Sequence, residues 1–128
     1  MIEPRTLPVE INWIGDNPLI VEIDKDIVNL VKAMNRFPGI RTVESCSGHG
    51  KRPASIFFVP ETIEALPPLL YYFDWCHSGV YWPVYITTDC SADRVTWVVE
   101  SEEVGPTAYI EGNQIADAMK DFVICGDD

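Results

Sequence analysis

The sequence predicts an α+β fold, a two-layer sandwich of mixed or antiparallel sheet and helices in the approximate order β-α-β-β-α-β-β-α. Three observations carry this. Apolar residues recur at helical spacing in three separate stretches, residues 27–34, 69–77 and 115–123. Between them lie two pairs of β-rich runs, residues 40–45 with 54–59 and residues 81–88 with 94–100. Each pair is joined by a short turn-rich segment, as hairpins are, which favours strands packed under helices.

The elements follow in order. Residues 1–17, with Pro4, Pro8 and Gly15-Asp16-Asn17, read as an irregular arm or short edge strand that Ile11, Trp13 and Ile14 hold against the body. Residues 19–23 are expected to form the first strand of the main sheet, and Asp24 looks like a helix N-cap. Ile27, Leu30, Val31 and Met34 fall at i, i+3, i+4 and i+7, one apolar helical face, and Phe37-Pro38-Gly39 ends that helix. Residues 40–45 and 54–59 read as strands around the loop Cys46-Ser47-Gly48-His49-Gly50-Lys51-Arg52-Pro53. After one helical turn near residues 61–66, Pro67-Pro68 opens a second helix with Leu69, Leu70, Phe73, Cys76 and His77 on one face and Ser78-Gly79 as its stop. In residues 81–88 Trp82, Val84 and Ile86 alternate onto one side, and in residues 94–100 Val95, Trp97 and Val99 do so. Residues 101–106 read as an acidic surface loop, Gly112-Asn113 as the lead into a last helix, and residues 124–128 as a frayed tail. A weak echo at a period of forty residues relates Gly39-Ile40 to Gly79-Val80 and residues 55–58 to 95–98.

The length of 128 residues fits a single domain, residues 1–128, and 47% hydrophobic residues suffice for a core. Met1 to Arg5 carries no basic segment leading into an apolar core, and no apolar run is long enough to span a bilayer. The expectation is a cytoplasmic protein without a membrane partner. Four widely spaced cysteines and no Cys-x-x-Cys pair argue against a disulfide scaffold or a zinc ribbon. No phosphate-binding P-loop, His-Glu-x-x-His or Gly-x-Ser-x-Gly pattern occurs.

The net charge of -11 argues against extended nucleic-acid binding. It is unevenly spread. Residues 1–60 hold 7 basic and 7 acidic residues, whereas residues 61–128 hold 2 basic and 13 acidic. Within residues 32–52 five basic residues face Glu44 alone.

The densest chemistry sits in that basic island. In residues 45–52 Gly48 and Gly50 allow sharp turns and uncovered amides, Ser45 and Ser47 add hydroxyls, Lys51 and Arg52 add positive charge, and Cys46 and His49 add a nucleophile or ligand and a base. The leading expectation is a small anionic ligand bound by Ser45, Cys46, Ser47, Gly48, His49, Gly50, Lys51 and Arg52. A bland alternative is a glycine-rich hairpin with solvated cations on its shoulder. Two further alternatives share the loop. Cys46-x-x-His49, joined by Cys76 and His77, has ligand spacing for a structural zinc. Cys46 with His49 would serve a cysteine-dependent enzyme, the pair being the catalytic candidates.

Ser45-Cys46-Ser47-Gly48, after a strand and before its hairpin partner, resembles the Ser-Cys-Ser-Gly segment of the wybutosine-synthesis tRNA methyltransferases over roughly residues 39–58. That resemblance implies S-adenosylmethionine as cofactor and methyl transfer to a tRNA base. The family continues with arginine where this chain has His49, and this chain is shorter and more acidic. The fuller string, from Gly39-Ile40-Arg41-Thr42 through His49-Gly50 to Ile56-Phe57-Phe58, is similar to small uncharacterised bacterial and phage proteins with a Ser-Cys-x-Gly-His-Gly signature. This second likeness brings no activity with it.

Other features have plainer readings. Asp89-Cys90-Ser91 reads as a turn, which pseudo-symmetry would set near Cys46, and Cys125 as a bystander. Tyr72 and Trp75 fall off the second helix's apolar face and would form a self-association patch, so a homodimeric interaction module is a further alternative. The acidic run Glu100, Glu102 and Glu103 reads as a solvated loop.

Overall fold

The computed structural model describes residues 5–11, 18–87 and 95–122. It is an α+β fold in which both sheets are antiparallel, one of two strands and one of four.

Of the two readings of the front of the chain, irregular arm or short edge strand, a short strand is what forms over residues 6–11. Thr6–Ile11 forms β1, which pairs with β2, Leu19–Asp24, so that Thr6 lies opposite Asp24. Strand β2 is therefore the partner of β1, and the main sheet starts one strand later. The alternation of β1 explains this, because Val9 and Ile11 are buried with Ile23, and Pro8 is tolerated in a two-stranded sheet, where every strand is an edge. A single 3-10 turn, Lys25–Ile27, leads into α1, Val28–Asn35. Ile27, Leu30, Val31 and Met34 are all buried, as their spacing predicts. Phe37-Pro38-Gly39 closes the helix, with Gly39 at φ 75°. Asn35 then ties α1 to the next strand: its amide nitrogen donates to Thr42 Oγ1 at 2.9 Å, and its carbonyl oxygen accepts the Thr42 N–H at 3.0 Å.

The four-stranded sheet contains β3, Ile40–Cys46; β4, Pro53–Pro60; β5, Val84–Thr87; and β6, Thr96–Val104. Their spatial order is β3-β4-β6-β5. The forty-residue echo has a counterpart here, since its two strands are the central neighbours, Phe57 opposite Val98 and Phe58 opposite Trp97. Each lies inside its own hairpin partner. The turn with Asp89, Cys90 and Ser91 lies outside the described residues, as does Cys125. The bordering pair Thr87–Thr96 sits at the end of the sheet opposite the pair Pro53–Val104, which adjoins the 47–52 loop.

The expected second helix is broken. Leu66–Leu70 forms α2 with Pro67 and Pro68 in its first turn, and a 3-10 turn follows over Tyr71–Phe73. Asp74 is extended, at φ -130° and ψ 142°, and starts the one-turn α3, Trp75–Ser78, by accepting the Cys76 N–H at 3.0 Å. The reset rotates the last turn, so Leu69 and Phe73 are buried as expected while Cys76 and His77 are exposed. Tyr72 is buried against Phe37, with ring centroids 5.9 Å apart, and Trp75 is exposed.

Strand β6 runs on to Val104, through the stretch expected to be an acidic loop. Ser101 makes this work. It is buried, its Oγ accepts the Ala54 N–H at 2.9 Å, and it donates to the Glu103 carbonyl at 2.6 Å where the register of β4 and β6 shifts. The last helix, α4, is Pro106–Ala118 and begins six residues before Gly112, with Pro106 in the first turn. Gly112 is a packing residue inside it. A Cβ there would lie 3.4 Å from Trp82 Cη2 and 3.7 Å from Leu30 Cδ2. Trp82 is fully buried, and its indole N–H donates to Glu111 Oε1 at 3.0 Å. Truncating such a residue to alanine costs about 3–5 kcal/mol. Helices α1 and α4 lie side by side, bridged by Asn29 and Asn113 at 3.1 Å, over the sheet face that presents Ala54, Ile56, Phe58 and Val99. No helix among the described residues is long and apolar enough to cross a membrane.

Candidate functional site

The loop between β3 and β4 turns three times in succession through left-handed backbone. Gly48 has φ 79°, His49 φ 53° and Gly50 φ 78°. Glycine accepts this at no steric cost, but an L-residue such as histidine is strained by about 1–2 kcal/mol. His49 is the sole non-glycine residue with positive φ among those described. Gly48 is required twice over, since a Cβ there would also fall 2.9 Å from the Pro53 carbonyl oxygen. Backbone bonds from Lys51 and Arg52 to the Gly48 carbonyl, at 3.0 and 3.1 Å, close the turn.

Within this loop the amides are already engaged. Ser47 N–H donates to Asp24 Oδ2 at 2.8 Å, Gly48 N–H to Cys46 Sγ at 3.3 Å, and His49 N–H to Ser47 Oγ at 3.2 Å. An open cradle of free amides is thus absent at these three positions. The first of the bonds has a larger consequence. It fixes the end of β2 to the end of β3 through the carboxylate of Asp24, a residue that accepts no capping bond from its own helical turn. As a result Asp24, Cys46 and His49 each place one ligand-type atom within 4.8 Å of the others. Asp24 and Cys46 are half-buried, and His49 is exposed.

In front of this cluster lies a cleft of about 530 Å³. Its lining takes Ser47, His49 and Gly50 from the turn, and Arg5, Thr6, Asp24, Lys25 and Asp26 from around the start of β1 and the end of β2. Tyr109, from the first turns of α4, completes it, and Gly105 at the start of that helix packs near Gly50. The Lys25 N–H donates to the Arg5 carbonyl at 2.8 Å, which ties the two basic residues' backbones together.

The expected site residues therefore separate. Ser47, His49 and Gly50 line the cleft, Cys46 joins it through the Asp24–His49 cluster, and Gly48 is buried beneath the turn. Ser45 is half-buried on β3, opposite Ile56. Lys51 and Arg52 are exposed and outside the cleft lining. Cys76 and His77 do not join the cluster. The His77 ring instead stacks on Tyr71 with centroids 3.5 Å apart, on another part of the surface. Asp24, Arg5, Lys25 and Tyr109 complete the site from outside the 45–52 loop, and of these only Asp24 carries a sequence signal, as the residue that precedes a helical face.

Tyr72 and Tyr85 have perturbed acidity, and neither lines this cleft. Burial pushes the Tyr72 phenol up, helped by Tyr71 and Asp121. Burial, then the charge of Glu100 and its hydrogen bond, does the same to Tyr85.

Comparison with protein-family models, with curated proteins and with solved structures gives no match for this chain.

Proposed function

We propose that the protein binds a small anionic molecule in the cleft between the 47–50 turn, the β1–β2 ends and the start of α4. The observation that supports this is the composition of the lining: Arg5 and Lys25 border the same cleft as Ser47, His49 and Gly50. A guanidinium and an ammonium are the usual partners of carboxylate or phosphate oxygens, and His49 and Tyr109 add adjustable donors. Tyr109 also brings the N-terminal part of α4 to the cleft, where the helix dipole favours negative charge. The volume of about 530 Å³ suits a metabolite-sized ligand. The basic contacts thus come from Arg5 and Lys25, while Lys51 and Arg52 supply a long-range field from the loop's shoulder.

A thermal-shift series against nucleotides, phosphate esters and S-adenosylmethionine tests this. A ligand present at about 100 times its Kd stabilises the folded state by about 2.7 kcal/mol. For a domain of this size that is a rise of several degrees in Tm. The rise should shrink in Arg5→Gln and Lys25→Gln and persist in Lys51→Gln. A ligand series that leaves wild type and the Arg5→Gln, Lys25→Gln double variant equally unshifted sinks the reading.

A further inference from the structure

An anion cleft that also holds Asp24 and Asp26 poses an electrostatic problem, and the cluster behind it offers the answer. We propose that Asp24, Cys46 and His49 bind one divalent transition-metal ion, zinc by preference, with a coordination position left open to the cleft. The first three of the features below stand without the anionic occupant, and the fourth rests on that reading.

Four features carry it. The three side chains offer a carboxylate oxygen, a thiol sulfur and an imidazole nitrogen, all within 4.8 Å of one another. Tetrahedral zinc with bonds of about 2.0–2.3 Å separates its ligand atoms by roughly 3.3–3.8 Å. Closing on an ion therefore needs side-chain adjustments on the order of 1 Å rather than backbone movement. Next, the surrounding hydrogen bonds are of the kind that orient metal ligands. The Ser47 N–H holds Asp24 Oδ2 at 2.8 Å and so orients the carboxylate, while the Gly48 N–H donates to Cys46 Sγ at 3.3 Å, where it would spread the charge of a bound thiolate. Third, the left-handed turn at Gly48, His49 and Gly50 folds the chain back so that Cys46 and His49, three residues apart, meet. Strain kept at a non-glycine residue is a mark of a site rather than of an ordinary hairpin. Finally, a divalent ion balances the carboxylate of Asp24 and the thiolate of Cys46, so the cleft becomes hospitable to an anion beside Arg5 and Lys25. The sulfur ligand selects zinc or cobalt over magnesium or calcium. Three protein ligands plus an exchangeable position is the arrangement of a reactive or ligand-binding centre, whereas a closed structural site uses four.

The test is a cobalt titration of chelator-treated protein, following the thiolate-to-cobalt absorption band. Wild type should take up one cobalt per chain with that band. Cys46→Ser should lose the band. Asp24→Asn and His49→Gln should weaken uptake by at least the roughly 10–100-fold that loss of even an outer-shell partner costs. Cys76→Ser and His77→Gln should titrate like wild type, and circular dichroism of each variant checks that it folds. No stoichiometric uptake by wild type, or a band that survives in Cys46→Ser, overturns the proposal. The anionic reading fails separately: cobalt-loaded protein that shows no thermal response to the phosphate esters loses that reading and keeps the metal centre.

Discussion

Two regions of this molecule carry a cysteine and a histidine close together in sequence, and they come to opposite ends. Cys46 and His49 straddle a turn whose backbone is fixed by five side-chain and main-chain bonds and whose reach extends to Asp24 on a different strand. Cys76 and His77 sit on one turn of helix that Asp74 restarts, and both face solvent, His77 lying flat on Tyr71. Composition is alike in the two places. What differs is whether a third group from a distant segment is brought in and held, and that is a tertiary property.

The contrast is broken most forcefully at the glycines. Gly48→Ala forces a Cβ to within 2.9 Å of a backbone oxygen at φ 79° and should cost about 3 kcal/mol or more, seen as a large loss of Tm. Gly79→Ala meets the Gln114 amide at 2.8 Å, but that side chain can swing away at the expense of its bond to the Ser78 carbonyl, so about 2–3 kcal/mol is expected. Gly50→Ala meets nothing within 4 Å and should lose only the conformational term, about 1–2 kcal/mol. Chemical denaturation of the three variants gives the ranking, and equal losses would show that the two turns are not differently constrained.

Removing side chains sharpens the comparison further. Asp24→Ala leaves the buried Ser47 N–H without its acceptor and should cost about 1–3 kcal/mol. Cys76→Ser and His77→Ala, on exposed positions, should stay within about 0.5 kcal/mol of wild type. A urea midpoint for Asp24→Ala that matches wild type would remove Asp24 from the account.

Much of the fold is legible in the sequence, and the failures have physical causes. The face of α1 is readable because Ile27, Leu30, Val31 and Met34 follow one period without interruption. The second helix misleads because its apolar spacing continues across Asp74, where a side chain that accepts a backbone N–H beats helix propagation. Helix α4 starts at Pro106 rather than after Gly112, and Gly112 reads as a breaker only until Trp82 is known to lie against it. The acidic stretch at residues 101–103 is a strand because one serine answers the stranded Ala54 amide at the register shift. At the candidate site, the 45–52 loop stands out from local chemistry alone. Its partners Arg5, Asp24 and Lys25 are not, because they lie more than twenty residues upstream and are joined to it through the β1–β2 pairing, whose register no local pattern in the loop announces.

The smallest expected effect concerns Tyr72, beneath the Tyr71–His77 stack. Its phenol is raised above 10.0 by burial, then by Tyr71 and Asp121, so the folded state holds this proton more tightly than the unfolded chain does. The unfolded chain releases it first, and stability should decline as pH climbs past about 10. Tyr72→Phe should lose that part of the alkaline decline, as measured by Tm against pH, and an unchanged profile would assign the decline elsewhere.

The central claim is that the 46–49 turn with Asp24, and not the 76–77 turn, is the working end of the molecule. Amide-resolved NMR during a zinc titration addresses it directly. The account predicts that the amides of Lys25, Ser47, Gly48 and His49 shift and saturate at one equivalent, while those of Cys76, His77 and Gly79 stay in place. Shifts centred on Cys76 and His77, or none at Ser47 and Gly48, would contradict it.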